Sequence, residues 1–309
     1  LNYLFFSHDG KLGDAIIHTA LVSGIKNQDL NSRIDCTASK GTLNFWQRDS
    51  RINVVYELDS PSWLQVIKIG WQLRKNRYDY VISWNKPRSE KIRVILKLLN
   101  PCKLIISAID PNKHALWREQ NALNQIFHRD IQPKLSLPAL RVTNALNPHI
   151  LLNLFGGVLE SKRSINKISA IKLISELRKS IPKSKIILCC EDHTEDVARE
   201  ISLSLSAKDK SVEVLNLTTP GIYGLIELCR QSSVIISPDT SIVHIASALN
   251  KPIIAIYQKG DSKSIIWGPT SDSSKIIIST EPDSIHGFGI PEVIEAIEKM
   301  NVDLKLGLT

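Results

Sequence analysis

The chain alternates, twice over, between short β-rich runs and longer stretches whose apolar residues follow helical spacing. That pattern builds parallel α/β units and narrows the fold to doubly wound sheets with helices on their faces. In the first half, strands are expected at 3–7, 33–38, 54–58, 80–83 and 103–107, and helices at 14–26, 62–76 and 89–100. A segment punctuated by Pro133, Pro138 and Pro148 then reads as a linker. The alternation restarts with strands at 150–154, 185–190, 212–215, 234–237 and 252–257. Helices are expected at 169–179, 195–205, 223–231, 240–249 and 291–301. The expectation is two domains, 1–147 and 148–309, with the last helix free to pack back on the first. A length of 309 residues suits two domains of this class. Ligands of such sheets bind beyond the C-terminal ends of the strands, and two such domains leave a cleft between them.

Composition removes several functional classes. No apolar run approaches the roughly 18 residues of a membrane span. The first residues carry no basic leader and no small-residue cleavage site, so secretion is not expected. The five cysteines, at 36, 102, 189, 190 and 229, include no Cys-x-x-Cys. Cys189 and Cys190 are neighbours in a strand and point to opposite faces. They suit buried thiols in a reducing cytoplasm, so neither a zinc site nor a disulfide framework is expected. The net charge of +8 is uneven. Residues 1–150 hold 21 Lys and Arg against 12 Asp and Glu, whereas 151–309 hold 18 against 19. A basic first half points to an anionic partner. RNA-recognition motifs and zinc-finger spacings are absent, which argues against nucleic acid.

Four segments following strands carry candidate chemistry. In Ser237-Pro238-Asp239-Thr240-Ser241-Ile242-Val243-His244, a strand ends and a helix begins, with Asp239 or Thr240 as its cap. His244 falls one turn after Thr240 on the same face. The positive end of this helix, with Thr240 and Ser241, suits a diphosphate; the plainer alternative is an ordinary cap and a packed histidine. The segment Gly10-Lys11-Leu12-Gly13-Asp14 opens the first helix. It is neither Gly-x-Gly-x-x-Gly nor a Walker A loop, so a nicotinamide dehydrogenase is disfavoured. Asp14 is either a dipole partner at a helix start or a general base. The third segment, Asn153 to Arg163, places Gly156 and Gly157 near Lys162 and Arg163, either of which can neutralise a phosphate or sit in a solvated loop. In the fourth, Glu191, Asp192, Glu195 and Asp196 follow a strand, and one of them can hold a ribose hydroxyl.

Taken together these segments resemble the glycosyltransferase family 9 heptosyltransferases of lipopolysaccharide inner-core synthesis. The run from Asp239 to Pro252 is similar to the family's Asp-Ser/Thr-Gly-x-x-His-x-Ala-x-Ala-x-x-x-Pro. Gly268-Pro269 resembles its following Gly-Pro, Gly13-Asp14 its N-terminal Gly-Asp, and Tyr78-Asp79-Tyr80-Val81-Ile82 its Tyr-Asp-x-x-Ile strand. The resemblance implies a GT-B fold, two Rossmann-like domains facing across a cleft, with acceptor bound by the first and ADP-sugar by the second. It implies a cytoplasmic enzyme at the periphery of the inner membrane of a Gram-negative cell, inverting, with no metal and no cofactor. Asp14 corresponds to the catalytic carboxylate, and Lys11, Gly13 and Arg118 fall on the acceptor side. Gly157, Lys162, Glu195, Asp239, Thr240, Ser241 and His244 correspond to donor contacts. Partners so implied are ADP-heptose or a similar nucleotide sugar and the anionic lipopolysaccharide core. Ser241 stands where the family has glycine and Ser164 where it has tryptophan. These departures leave open a different nucleotide sugar, or a catalytically inactive nucleotide- or glycan-binding protein. The basic residues Lys68, Arg74, Lys75, Arg77, Lys86, Arg88, Lys91, Arg93 and Lys97 are candidates to meet core phosphates or the inner leaflet. Trp63, Trp71, Trp84 and Trp117 are candidates to stack on sugars or to pack in the core.

Overall fold

A computed structural model describes residues 1–7, 10–84, 89–138, 149–156, 161–205, 212–219, 221–260 and 262–300. The chain divides into two compact units, Leu1–Ala139 and Leu140–Thr309. The expected boundary at 147/148, along with Lys86 and Arg88 of the basic run, lies outside the described residues.

The first unit runs β1 (Asn2–Ser7), α1 (Leu12–Gln28), β2 (Arg33–Ala38), α2 (Lys40–Gln47), β3 (Val54–Glu57), α3 (Trp63–Lys75), β4 (Tyr80–Trp84), α4 (Glu90–Leu99), β5 (Lys103–Ser107) and α5 (Leu116–Phe127). Its sheet has the order β3-β2-β1-β4-β5, and all its pairs are parallel. Alternation along β1 divides its side chains between two faces. Leu4 and Phe6 join Val66 and Leu73 of α3 and Ile92, Ile95 and Leu99 of α4 in one core. Phe5 turns the other way, edge-on to His18 of α1 and to Trp46 of α2. On that side α1 packs on α5 closely enough that a Cβ at Gly24 would sit 2.4 Å from Leu123.

The second unit runs β6 (His149–Asn153), α6 (Lys167–Ser180), β7 (Lys185–Cys190), α7 (Asp192–Leu205), β8 (Val212–Asn216), α8 (Gly221–Gln231), β9 (Ser232–Pro238), α9 (Ser241–Ala248), β10 (Ile253–Lys259), α10 (Lys263–Ile266), β11 (Ser274–Pro282) and α11 (Ile290–Met300). The sheet order is β11-β10-β9-β6-β7-β8, again parallel throughout. Ile150 and Leu152 pack under α6 and α11, while α8 and α9 cover the other face. Val293, Ala296 and Ile297 of α11 are buried in the second unit's own core.

Three substantial elements escape the sequence pattern. Helix α5 starts at Ala115, which offers no side-chain cap, so nothing marks its beginning. Helix α2 has eight residues and no cap bond from Ser39. Strand β11 is an edge strand in which only Ile277 and Ser279 are buried, too little alternation to stand out.

The thiols report this packing. Burial pushes Cys189 up to about 12 and Cys190 up to about 11, and holds Cys36 and Cys229 well above their ordinary value. Cys102 is exposed. Alkylation of the native protein at pH 8, read by mass spectrometry, should modify Cys102 rapidly and the other four thiols only after denaturation.

Candidate functional site

In an open parallel sheet the crevice for a ligand forms where strand order reverses, beyond the carboxyl ends of the two central strands. The first unit reverses between β1 and β4, the second between β6 and β9. The loops after these four strands carry most of the residues singled out above.

Asp14 lies in the first turn of α1, next to the end of β1. Its side chain is 12% exposed, and Oδ1 is 3.7 Å from Nη2 of Arg118. Arg118 is buried. A buried guanidinium requires opposite charge, and the nearer partner is Glu119, whose Oε1 accepts from Arg118 Nε at 3.1 Å. The same Oε1 is 3.1 Å from Nδ1 of His18, one turn beyond Asp14 on α1. His18 stacks on Trp84 at the end of β4, centroids 4.5 Å apart, and the Arg118 guanidinium lies 4.7 Å from that ring's centroid. Neither His18 nor Glu119 has any exposed surface. Three buried atoms of this group, His18 Nε2, Glu119 Oε2 and Trp84 Nε1, have no hydrogen-bond partner among the described residues. Arg118, expected on the acceptor side, is thus engaged inward, with Asp14 on its rim. Lys11 is the exposed N-cap residue of α1, and Gly13 lies in its first turn.

In the second unit a single amide ties the two central strands. Asn153, ending β6, donates from Nδ2 to Phe155 O at 3.2 Å, to Ser237 Oγ at 3.1 Å and to Thr240 Oγ1 at 3.3 Å. Thr240 is the N-cap of α9, accepting from Ile242 N at 3.3 Å. Ser237 gives its one hydrogen to Pro238 O, at 2.9 Å. The 3.0 Å contact between the Ser237 and Thr240 hydroxyls therefore uses the hydrogen of Thr240. This hydroxyl is committed to building the helix start. What remains to meet an anion is the positive end of α9 and the hydroxyl of Ser241, its first residue.

Arg163 completes this wall. Its Nη2 donates to Asp239 Oδ2 at 3.0 Å and to the Asp239 carbonyl. Gly156 must be glycine here, because a Cβ would lie 2.3 Å from the Arg163 carbonyl oxygen. The Gly156 N–H donates to Ser164 Oγ at 2.9 Å, and Ser164 is buried. Ser164 thus ties Gly156 to the stretch that leads into α6. Lys162 is held by its backbone, which accepts from Ile285 N at 2.9 Å, and its side chain is exposed. His244 is buried on α9, edge-on to Trp267. Gly157 lies outside the described residues. Glu195, on α7, accepts from Asn216 Nδ2 at 2.5 Å and from Arg199 Nε at 2.8 Å. Those bonds, Asn216 first, hold its carboxyl below the usual carboxylate range.

Sequence reasoning missed His18, Glu119 and the role of Asn153. His18 was visible as the residue four after Asp14; Glu119 was not, because α5 carries no start signal. Among the described residues no group of three or more His, Cys, Asp or Glu side chains is arranged to hold a metal ion.

Residues 172–290, which include α8, α9 and the Asp239–His244 run, match the family model described as glycosyltransferase family 9 (heptosyltransferase). By that segment, the chain is similar to the family 9 glycosyltransferases. No curated protein sequence matches it significantly. Among solved structures, the E. coli ADP-heptose lps heptosyltransferase II is similar at a TM-score of 0.76 and 16% identity, over 97% of this chain and 98% of that one. The E. coli heptosyltransferase WaaC with ADP is similar at a TM-score of 0.75 and 14% identity, over 97% and 100%. A UDP-GlcNAc 2-epimerase from Methanocaldococcus jannaschii reaches 0.57 at 12% identity, over 97% and 92%. Likeness at such identities speaks for the fold, which different reactions share.

Both clusters should be visible in stability. Glu119→Ala leaves the Arg118 guanidinium buried without its nearer carboxylate and should cost about 3–5 kcal/mol in urea denaturation. Thr240→Val removes the cap of α9 and one partner of Asn153, at about 1–2 kcal/mol.

Proposed function

We propose that this glycosyltransferase moves a heptose from an ADP-heptose to the inner core of lipopolysaccharide, with inversion and without a metal ion. The observation that carries the reading is the start of α9, where Asn153, Ser237 and Thr240 build a positive helix end inside the family-matched segment.

The chemistry assigns work to each side chain. The acceptor hydroxyl attacks the anomeric carbon while Asp14 takes its proton. The bond from that carbon to the diphosphate oxygen breaks, and the electron pair leaves with ADP. Attack from the face opposite the departing group inverts the anomeric centre. Lys162, Ser241 and the N-terminal end of α9 meet the charge that develops on the diphosphate, work that a divalent cation does in other transferases. Arg163 holds the Asp239 carboxylate at the helix start, where it also accepts from a sugar hydroxyl. His244 contributes a donor one turn into the helix. Glu195, kept ionised by Asn216 and Arg199, accepts from the ribose. Arg118, 3.1 Å from Glu119 and 3.7 Å from Asp14, holds the Asp14 carboxylate in place beside the first helix start.

Two variants separate the roles. Asp14→Ala should abolish transfer from ADP-heptose while leaving calorimetric ADP binding unchanged. Near-normal turnover by that variant overturns the base assignment. Lys162→Ala should weaken ADP binding about tenfold or more, the loss of one charge-assisted contact. If other nucleotide sugars are consumed in preference to ADP-heptose, the donor assignment falls while the transferase reading stands.

A further inference from the structure

Helix α3 has two apolar sides, and only one is buried. Val66, Gly70 and Leu73 face the core of the first unit. At about 100° per residue, Trp63, Ile67, Trp71 and Leu64 fall within an adjoining arc of about 100°. These side chains are 50%, 46%, 53% and 81% exposed. Scattered single apolar residues on a surface need no explanation, but four large ones on one 13-residue helix do.

Cations border the arc. Lys68 and Lys75 follow on its outer flank, beyond Leu64, and Arg74 projects within it. The Arg74 guanidinium is 5.5 Å from the Trp71 ring centroid, and the Lys91 ammonium of α4 is 5.9 Å from that of Trp63. The helix contains no acidic residue.

We propose that this face of α3 docks on an anionic lipid surface. Indoles favour the boundary between headgroups and acyl chains, where an apolar ring meets a polar rim. Leucine and isoleucine reach below that level, and the long stems of lysine and arginine lie over apolar surface while their charges meet lipid phosphates. A second copy of the chain fits poorly, since pairing two such faces would set Lys68, Arg74, Lys75 and Lys91 of each against their counterparts. Among the described residues no helix is long and apolar enough to cross a membrane, so this contact lies on the surface of the bilayer.

Vesicle flotation of the full chain tests the proposal without donor or acceptor, so its outcome is separate from that of the transfer reading. Vesicles of phosphatidylcholine with phosphatidylglycerol should carry the protein at low salt, with a blue shift of tryptophan emission, and release it at high salt. Vesicles of phosphatidylcholine alone should not carry it. Lys68→Ala with Lys75→Ala should lower the partition coefficient about 25-fold, about fivefold per cation. Trp63→Ala with Trp71→Ala should remove both binding and the blue shift. All four positions are exposed, and circular dichroism checks that each variant folds; the lipid and salt comparisons need no variant. Equal binding to neutral vesicles, binding indifferent to these substitutions, or no binding at all overturns the proposal. So does a concentration-dependent dimer that Trp71→Ala dissociates, which would give the face to a second copy.

Discussion

A guanidinium removed from water must be matched by negative charge, and in the first unit that requirement organises everything around Asp14. Arg118 is buried between two carboxylates of unequal distance: Glu119, bonded at 3.1 Å, and Asp14, at 3.7 Å. Arg118 and Glu119 both belong to α5, so the contacts that cross to α1 are Arg118 with Asp14 and Glu119 with His18. Trp84 and His18 fill the remaining space with aromatic surface. The carboxylate at the mouth of the β1–β4 crevice is thereby held near a positive charge that is already largely satisfied elsewhere.

The second unit solves a different problem with neutral groups. Two strands that are neighbours in space but distant in sequence, β6 and β9, must end at the same level for a helix start to face their crevice. The Asn153 amide spans them. Its bonds use the hydroxyls of Ser237 and Thr240, so what the helix start still presents is its backbone dipole and Ser241, beside Lys162 and Arg163 of the neighbouring loop. Beside it, buried Ser164 accepts from the Gly156 N–H and so ties the two described ends of that loop together.

Most of this architecture was legible in the sequence because it follows from periodicity. β2, β5 and β7 fall on their expected residues, and the other expected strands differ by a residue or two at their ends. Legibility ended where a local signal was missing. α5 has no cap, so Arg118 was visible as a residue but its partner Glu119 was not, and its inward orientation depends on a tertiary charge pair that no local pattern encodes. Asp239 and Thr240 were recognisable as a helix start, yet only the bond from Ile242 N to the Thr240 hydroxyl shows which of them caps. The exposed side of α3 was visible as a basic run with tryptophans; that the indoles stay in water depends on which arc of the helix the sheet covers.

His18 and Glu119 are 101 positions apart in the chain. During synthesis α1 leaves the ribosome long before the helix that shields its histidine exists. At about 5–20 residues per second, the first strand and helix wait on the order of 5–20 s for α5. Parallel pairing of β1 with β4 carries the same delay, since neither can close before the intervening segments have emerged. The nascent first unit thus spends its early life with a large apolar surface open to the cell, and the buried arginine is among the last groups to leave water.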